Sequence, residues 1–228
     1  EPRNVLYVAN YTANRIEVMS LGDGSIQTSL NVASQPSSLS LSPDGRYLVV
    51  GHYGNFASPN APTNALTVID LNSRARQTFA LGNAALGVAF GIDDRVLVVT
   101  ATEFLLFDPV TGTSMVLSTI SELAAKTLPQ PPASFPPNIV AASVTASGDR
   151  RYIYGLTDTF TFSYEVERKA LAIRGYTSTP AMGPRVVAVN RDGAFYLSGW
   201  VLRDRLGRNL AQFPDPAGLL NLGSHAID

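Results

Sequence analysis

Residues 4–54 read NVLYVANYTANRIEVMSLGDGSIQTSLNVASQPSSLSLSPDGRYLVVGHYG. Apolar runs at 5–9, 16–21, 26–32 and 39–41 are strand-sized, and turn residues separate them. Gly22-Asp23-Gly24 and Ser42-Pro43-Asp44-Gly45 are turns with a mechanism: Gly and Asp accept positive φ, and Pro presets the first corner. The unit then returns, because Asn4-Val5-Leu6-Tyr7-Val8 and Arg46-Tyr47-Leu48-Val49-Val50 occupy the same place in it.

The return can be followed along the chain. Asp44 in SPDGRYLVV corresponds to Asp93 in GIDDRVLVV, Asp149 in SGDRRYIY and Asp192 in NRDGAFYLSG. The shortest of these steps is roughly 43 residues, the length of a four-stranded propeller blade, and the longer steps mark insertions. Helical repeats of similar length compete poorly, since these segments are β-branched, short and broken by Gly, Pro and Asp. The predicted fold is all-β, one domain over residues 1–228, with about five blades of four antiparallel strands.

Composition fits a large core. The 228 residues are 45% hydrophobic and 15% charged, which argues against disorder. A formal net charge of −1 gives no basic excess for nucleic acid. The chain has no cysteine, so disulfides, thiolate metal sites and Cys nucleophiles are excluded. No apolar run approaches the ~18 residues of a membrane span. Glu1 in place of an initiator Met, with no signal peptide, points to a processed or trimmed start.

Leu6-Tyr7-Val8-Ala9-Asn10, Asn14-Arg15-Ile16-Glu17-Val18, Gln35-Pro36 and the SPDG turn together resemble the YVTN-type β-propeller repeat. The match is close over 4–54, continues through Asn64–Asp70, and loosens after Ala101. Members of that family are mostly seven-bladed, exported or cell-surface bacterial proteins, and some lactonases and dehydrogenase-like proteins share the fold. The resemblance therefore implies an extracellular, periplasmic or cell-surface location, and it implies architecture better than activity.

Naming strands A (innermost) to D (outermost), the first blade enters at strand B, residues 4–10. The fifth blade is expected to have A at 185–189, B at 195–202 and C near 209–213. Two outcomes are open for the ring. Either residues 223–228 fill the inner slot of the first blade and close five blades, or the chain belongs to a larger, seven-bladed ring. In the second case the missing blades come from another chain or segment.

Two insertions interrupt the rhythm, at 55–63 and 118–138. In the second, residues 121–126 are expected to form one or two helical turns capped by Ser121, followed by an extended, proline-rich arm. Successive antiparallel strands reverse direction, so D–A and B–C connections share one face and A–B and C–D turns the other. Both insertions decorate the first face, either as a ligand-binding surface or as tolerated loops, and on either reading removing 118–137 is expected to leave the fold intact, because the shorter repeats close without such an insertion.

Candidate ligand-binding residues on that face are His52, Tyr53, Asp158, Arg185, Trp200, Arg203 and Arg205, with the last two assigned to the fifth B–C loop. Aromatic faces and guanidinium forks suit a carbohydrate or an anionic ligand. The alternative is that Trp200 packs between blades, the arginines are solvated and His52 is a hydrogen-bonded structural residue. No HxH, HExxH or acidic ligand spacing supports a metal or another cofactor, no helix follows Gly22-Asp23-Gly24 to make a phosphate loop, and GxSxG is absent. Three function classes follow: a non-enzymatic propeller binding protein or carbohydrate, a lactonase-like enzyme at the channel mouth, and a structural spacer of a larger surface protein.

Overall fold

The structure is a computed structural model that describes residues 4–53, 64–128, 131, 135–176, 186–212 and 226–227. Five antiparallel sheets follow one another along the chain. Blade 1 has three strands, β1 (Val5–Asn10), β2 (Arg15–Ser20) and β3 (Ile26–Asn31). Blade 2 is β4 (Pro36–Leu41), β5 (Tyr47–Tyr53), β6 (Asn64–Asp70) and β7 (Arg76–Ala80). Blade 3 is β8 (Ala85–Phe90), β9 (Val96–Thr100), β10 (Glu103–Phe107) and β11 (Ser114–Thr119). Helix α1 (Ile120–Thr127) precedes blade 4, which is β12 (Ala142–Ala146), β13 (Tyr152–Thr157), β14 (Phe160–Glu165) and β15 (Ala170–Tyr176). Blade 5 is β16 (Val187–Val189), β17 (Phe195–Ser198), β18 (Val201–Asp204) and β19 (Asn209–Gln212).

The repeated Asp organises each A–B turn. In blade 2 the Ser42 hydroxyl donates to Asp44 Oδ1 at 2.5 Å and accepts from the Tyr47 N–H at 2.8 Å. Blade 4 repeats the arrangement with Ser147, Asp149 and Tyr152. Blade 5 does so with Asn190, Asp192 and Phe195. The residue after each Asp is left-handed: Gly45, Asp94, Arg150 and Gly193 have φ of 71°, 59°, 59° and 69°. C–D turns have their own Asp device, with Asp70, Asp108 and Asp204 each accepting two backbone N–H groups.

Blades pack face to face through the period-2 alternation of their central strands. Leu48 and Val50 face blade 1 with Ile16, whereas Val49 faces blade 3 with Val98 and Phe107. Leu97 and Val99 then face blade 4, meeting Ile153, Phe160 and Phe162. Tyr154 and Leu156 meet Val187 and Tyr196 of blade 5. On the blade 3 side of the same strand Gly155 is required, because a Cβ would lie 2.1 Å from the Phe162 ring. Among the described residues, no strand pairs with the inner edge of β1, and blade 5 makes no extensive contact back to blade 1.

The second insertion is a brace. Its cap is Thr119 rather than Ser121, because Thr119 and Glu122 close a reciprocal capping box that Ser121 cannot make. Ile120, Leu123 and Ala124 are buried in the core between blades 3 and 4. Thr127 Oγ1 accepts from the Ile173 N–H of the outer strand β15. Farther along, Phe135 stacks on Phe160 with centroids 5.8 Å apart and leans on Tyr176 at 5.1 Å. A fold indifferent to residues 118–137 does not fit this packing. The 55–63 insertion lies outside the described residues.

Candidate functional site

His52 is the penultimate residue of strand B of blade 2, and its side chain is fully buried. Nδ1 lies 3.0 Å from the Ser34 carbonyl, which can only accept, so that nitrogen carries the proton. Nε2 is then the acceptor for the Thr67 hydroxyl at 2.8 Å, and Thr67 in turn meets Thr78 Oγ1 at 3.0 Å. Burial holds the imidazole below its ordinary pKa. The ring is neutral and both nitrogens are occupied, which ties loop 34, strand C and strand D together. It belongs to the blade interior and not to the face.

Blade 1 builds the same relay from other residues. Asn10 replaces His52 and bonds Glu17 Oε1 at 3.2 Å, and the Ser29 hydroxyl donates to the other Glu17 oxygen. Glu17 sits opposite Ser29 as Thr67 sits opposite Thr78. The Ser29 hydroxyl, followed by Arg15, holds the Glu17 carboxyl below its usual range. The spacing of these polar residues on β-branched strands is the sequence signal for the relay.

The remaining candidates separate. Asp158 is exposed on the B–C turn of blade 4, where it accepts from the Val140 and Ala141 N–H groups at 3.0 and 3.4 Å. Tyr53 and Trp200 are half-buried at the same face, in blades 2 and 5. Arg185 lies outside the described residues. Arg203 and Arg205 are not in a B–C loop: Gly199-Trp200 turns the chain early, so 201–204 is strand C and 209–212 strand D. The largely apolar run 195–202, broken by no Asp, Asn or Pro, hid that turn. The Asp204–Gly207 turn, which matches the Asp-led turns at 70 and 108, is the signal that identifies it.

Arg203 faces blade 4 from inside the sheet. Its Nε donates to Ser198 Oγ at 3.0 Å, and Nη1 to Gly207 O at 3.1 Å and Asn209 Oδ1 at 2.5 Å. Arg205 lies on the opposite, turn-bearing face. Its guanidinium sits 4.4 Å from the Tyr152 ring centroid and donates to the Asp192 and Gly193 carbonyls. The loop-bearing face thus keeps Tyr53, Asp158 and Trp200, while the turn face carries Arg205. Among the described residues no group of three or more His, Cys, Asp or Glu side chains is placed to hold a metal ion. No helix there is long and apolar enough to cross a membrane.

The turn face also bears cavities. One of about 720 Å³ opens between β1 and the A–B turn of blade 2, with Arg150 of blade 4 on its wall. A smaller one of about 170 Å³ lies between Tyr152, Glu167 and Arg205.

No family model matches the chain. It is similar to Antigen Lp49 of Leptospira interrogans, 32% identical over 108 residues. That stretch is 42% of this chain and 23% of the antigen, so the chain spans less than a quarter of that relative. Among solved structures it is similar to the WD40 repeats of RRP9, with a TM-score of 0.60, 12% identity, and coverage of 89% of this chain and 57% of that one. It is also similar to the extracellular domain of a protein described as a hybrid two-component system from B. thetaiotaomicron. There the TM-score is 0.59 at 17% identity, covering 95% of this chain and 25% of that one. At these identities the structural likeness concerns the fold alone, which is the β-propeller.

Proposed function

We propose that this chain is the propeller of an exported or cell-surface bacterial protein of the YVTN type, and that it binds a protein or carbohydrate without catalysing a reaction. The observation that carries the reading is the 32% identity to a leptospiral antigen, joined to a propeller fold shared with an extracellular domain. Supporting it, His52 is spent inside blade 2, so the acid–base group that a channel-mouth enzyme would draw on has a structural use. The binding face is the loop-bearing one, which carries Tyr53, Asp158 and Trp200 on blades 2, 4 and 5. In the intact protein, further blades complete a larger ring against blades 1 and 5.

The test is a glycan array and a panel of purified host extracellular proteins, probed with wild type and with Tyr53→Ala and Trp200→Ala. The expected result is saturable capture that each variant weakens while its melting temperature moves little. Absence of capture across both panels sinks the binding reading and leaves the spacer.

A further inference from the structure

Charge is divided unequally between the two ends of the blades. Every A–B and C–D turn carries at least one charged side chain, from Asp23 in the first, through Asp93 and Arg95 in blade 3, to Arg205 and Arg208 in the last. The connections at the opposite end carry almost none. Outside helix α1, Asp158 is the one charged side chain among the described residues of the B–C and D–A connections. Its carboxylate is already engaged by the Val140 and Ala141 N–H groups. At the strand ends beside these connections, Arg15 is paired with Glu17 at 2.5 Å and Glu103 is half-buried.

Turn chemistry does not account for the difference. Each A–B turn needs its Asp, but the guanidinium groups of Arg46 and Arg151 take no part in the turns and reach Asp70 and Glu167 instead. The loop-bearing end offers amide and hydroxyl groups in place of charge. Asn83, Thr102, Asn138 and Thr159 lie there, none fully buried, with the rings of Tyr53 and Trp200.

We infer that the loop-bearing face takes a neutral oligosaccharide, an inference that narrows the proposed binding function and rests on it. A sugar without acid groups is held by hydrogen bonds from amides and hydroxyls and by stacking of its C–H face on an aromatic ring, and neither contact needs a charge. An acidic glycan calls for guanidinium or ammonium groups, and protein interfaces are enriched in Arg. The described residues of this face supply Arg15 alone, already paired. Blades 3 and 4 lie between Tyr53 and Trp200, so only a chain of sugars meets both rings.

The immobilised 228-residue chain is probed with neutral glucan, mannan and galactan chains, with polygalacturonate and sulfated glycans, and with purified extracellular proteins. Retention of at least one neutral polymer is expected, stronger for longer chains. It should change less than ~2-fold between about 0.05 and 0.5 M salt, because no ion pair is there to be screened. Tyr53→Ala and Trp200→Ala should each weaken it at least ~5-fold. Glu167→Gln, on the turn face, should leave it unchanged. Retention of acidic polymers alone, or of proteins alone, overturns the inference and leaves the broader binding function standing. Retention of a neutral polymer that falls steeply with salt overturns it as well, and no capture of any kind removes both. Should either aromatic variant fail to fold, polymer class and salt dependence in the wild type decide the matter.

Discussion

The rings of Tyr154 and Tyr196 stack across the interface of blades 4 and 5, with centroids 4.3 Å apart and planes 21° from parallel. Tyr154 also donates its hydroxyl to the Gly193 carbonyl at 2.6 Å, joining the stack to the left-handed glycine of the next A–B turn. The interface therefore combines aromatic area with one hydrogen bond to a turn. Tyr154→Ala should cost about 3–5 kcal/mol, as for other buried aromatics. Tyr154→Phe, which loses only the hydrogen bond, should cost about 1 kcal/mol. Urea unfolding of both variants checks the ratio, and equal losses would mean that the rings contribute little.

The same tyrosines set an alkaline limit. Burial pushes Tyr196 and Tyr164 up to about 12, and it raises Tyr154 further. An unfolded tyrosine ionises near pH 10, so above that the unfolded chain releases protons that the folded chain keeps. Stability is therefore fully present below about pH 10 and declines as pH rises toward 12. Thermal melts across pH 8–12 should show this fall, and Tyr196→Phe should flatten part of it. A wild-type melt that stays level through pH 11 would contradict the burial of these hydroxyls.

His52 sets a limit on the acid side. It is neutral in the fold and titrates near 6.5 when unfolded, so its stabilisation is complete above that pH. As pH falls below about 6.5 the unfolded chain gains a proton that the buried ring resists, and stability drops. Carboxylates such as Asp44 and Asp70, held down by their hydrogen bonds, add their losses only at lower pH. Melts between pH 7 and 5 should therefore slope in wild type and lie flatter in His52→Gln. Identical slopes would place the titrating group elsewhere.

Helix α1 offers a test of the brace. Leu123 is almost wholly buried between the outer strands of blades 3 and 4. Leu123→Ala should cost about 2–5 kcal/mol, and deletion of 118–137 more. Denaturant midpoints decide it, since a surface loop of the same length would barely change them.

Much of the fold was legible because the blades repeat one physical problem. Strand alternation and the Asp-led A–B turns place blades 2, 3 and 4 within a few residues of where they lie, since each turn carries its own local chemistry. Blade 5 was misread because Gly199-Trp200 turns the chain with no Asp, Pro or Asn, inside a run that stays apolar on both sides. The helix was found but taken as decoration, since burial of Ile120 and Leu123 depends on neighbours distant in sequence. The candidate site was the least legible part. His52 looks like chemistry in one dimension, and only the positions of Ser34, Thr67 and Thr78 show where its hydrogen bonds go.

Arg203 and Arg205, two residues apart in sequence, should behave as unrelated side chains. Arg203 satisfies Ser198, Gly207 and Asn209 between blades, so Arg203→Ala leaves several polar groups without partners in a half-buried seam. A cost of about 2 kcal/mol is expected. Arg205 is held by two carbonyls and the face of Tyr152 near solvent, so Arg205→Ala should cost about 1 kcal/mol or less. Neither substitution should alter capture of a partner at the loop-bearing face, because one side chain is inside the blade and the other on the far side. Parallel melts and capture assays on the two single variants check both halves. Loss of capture in Arg205→Ala with an unchanged melt would move the binding surface to the turn face.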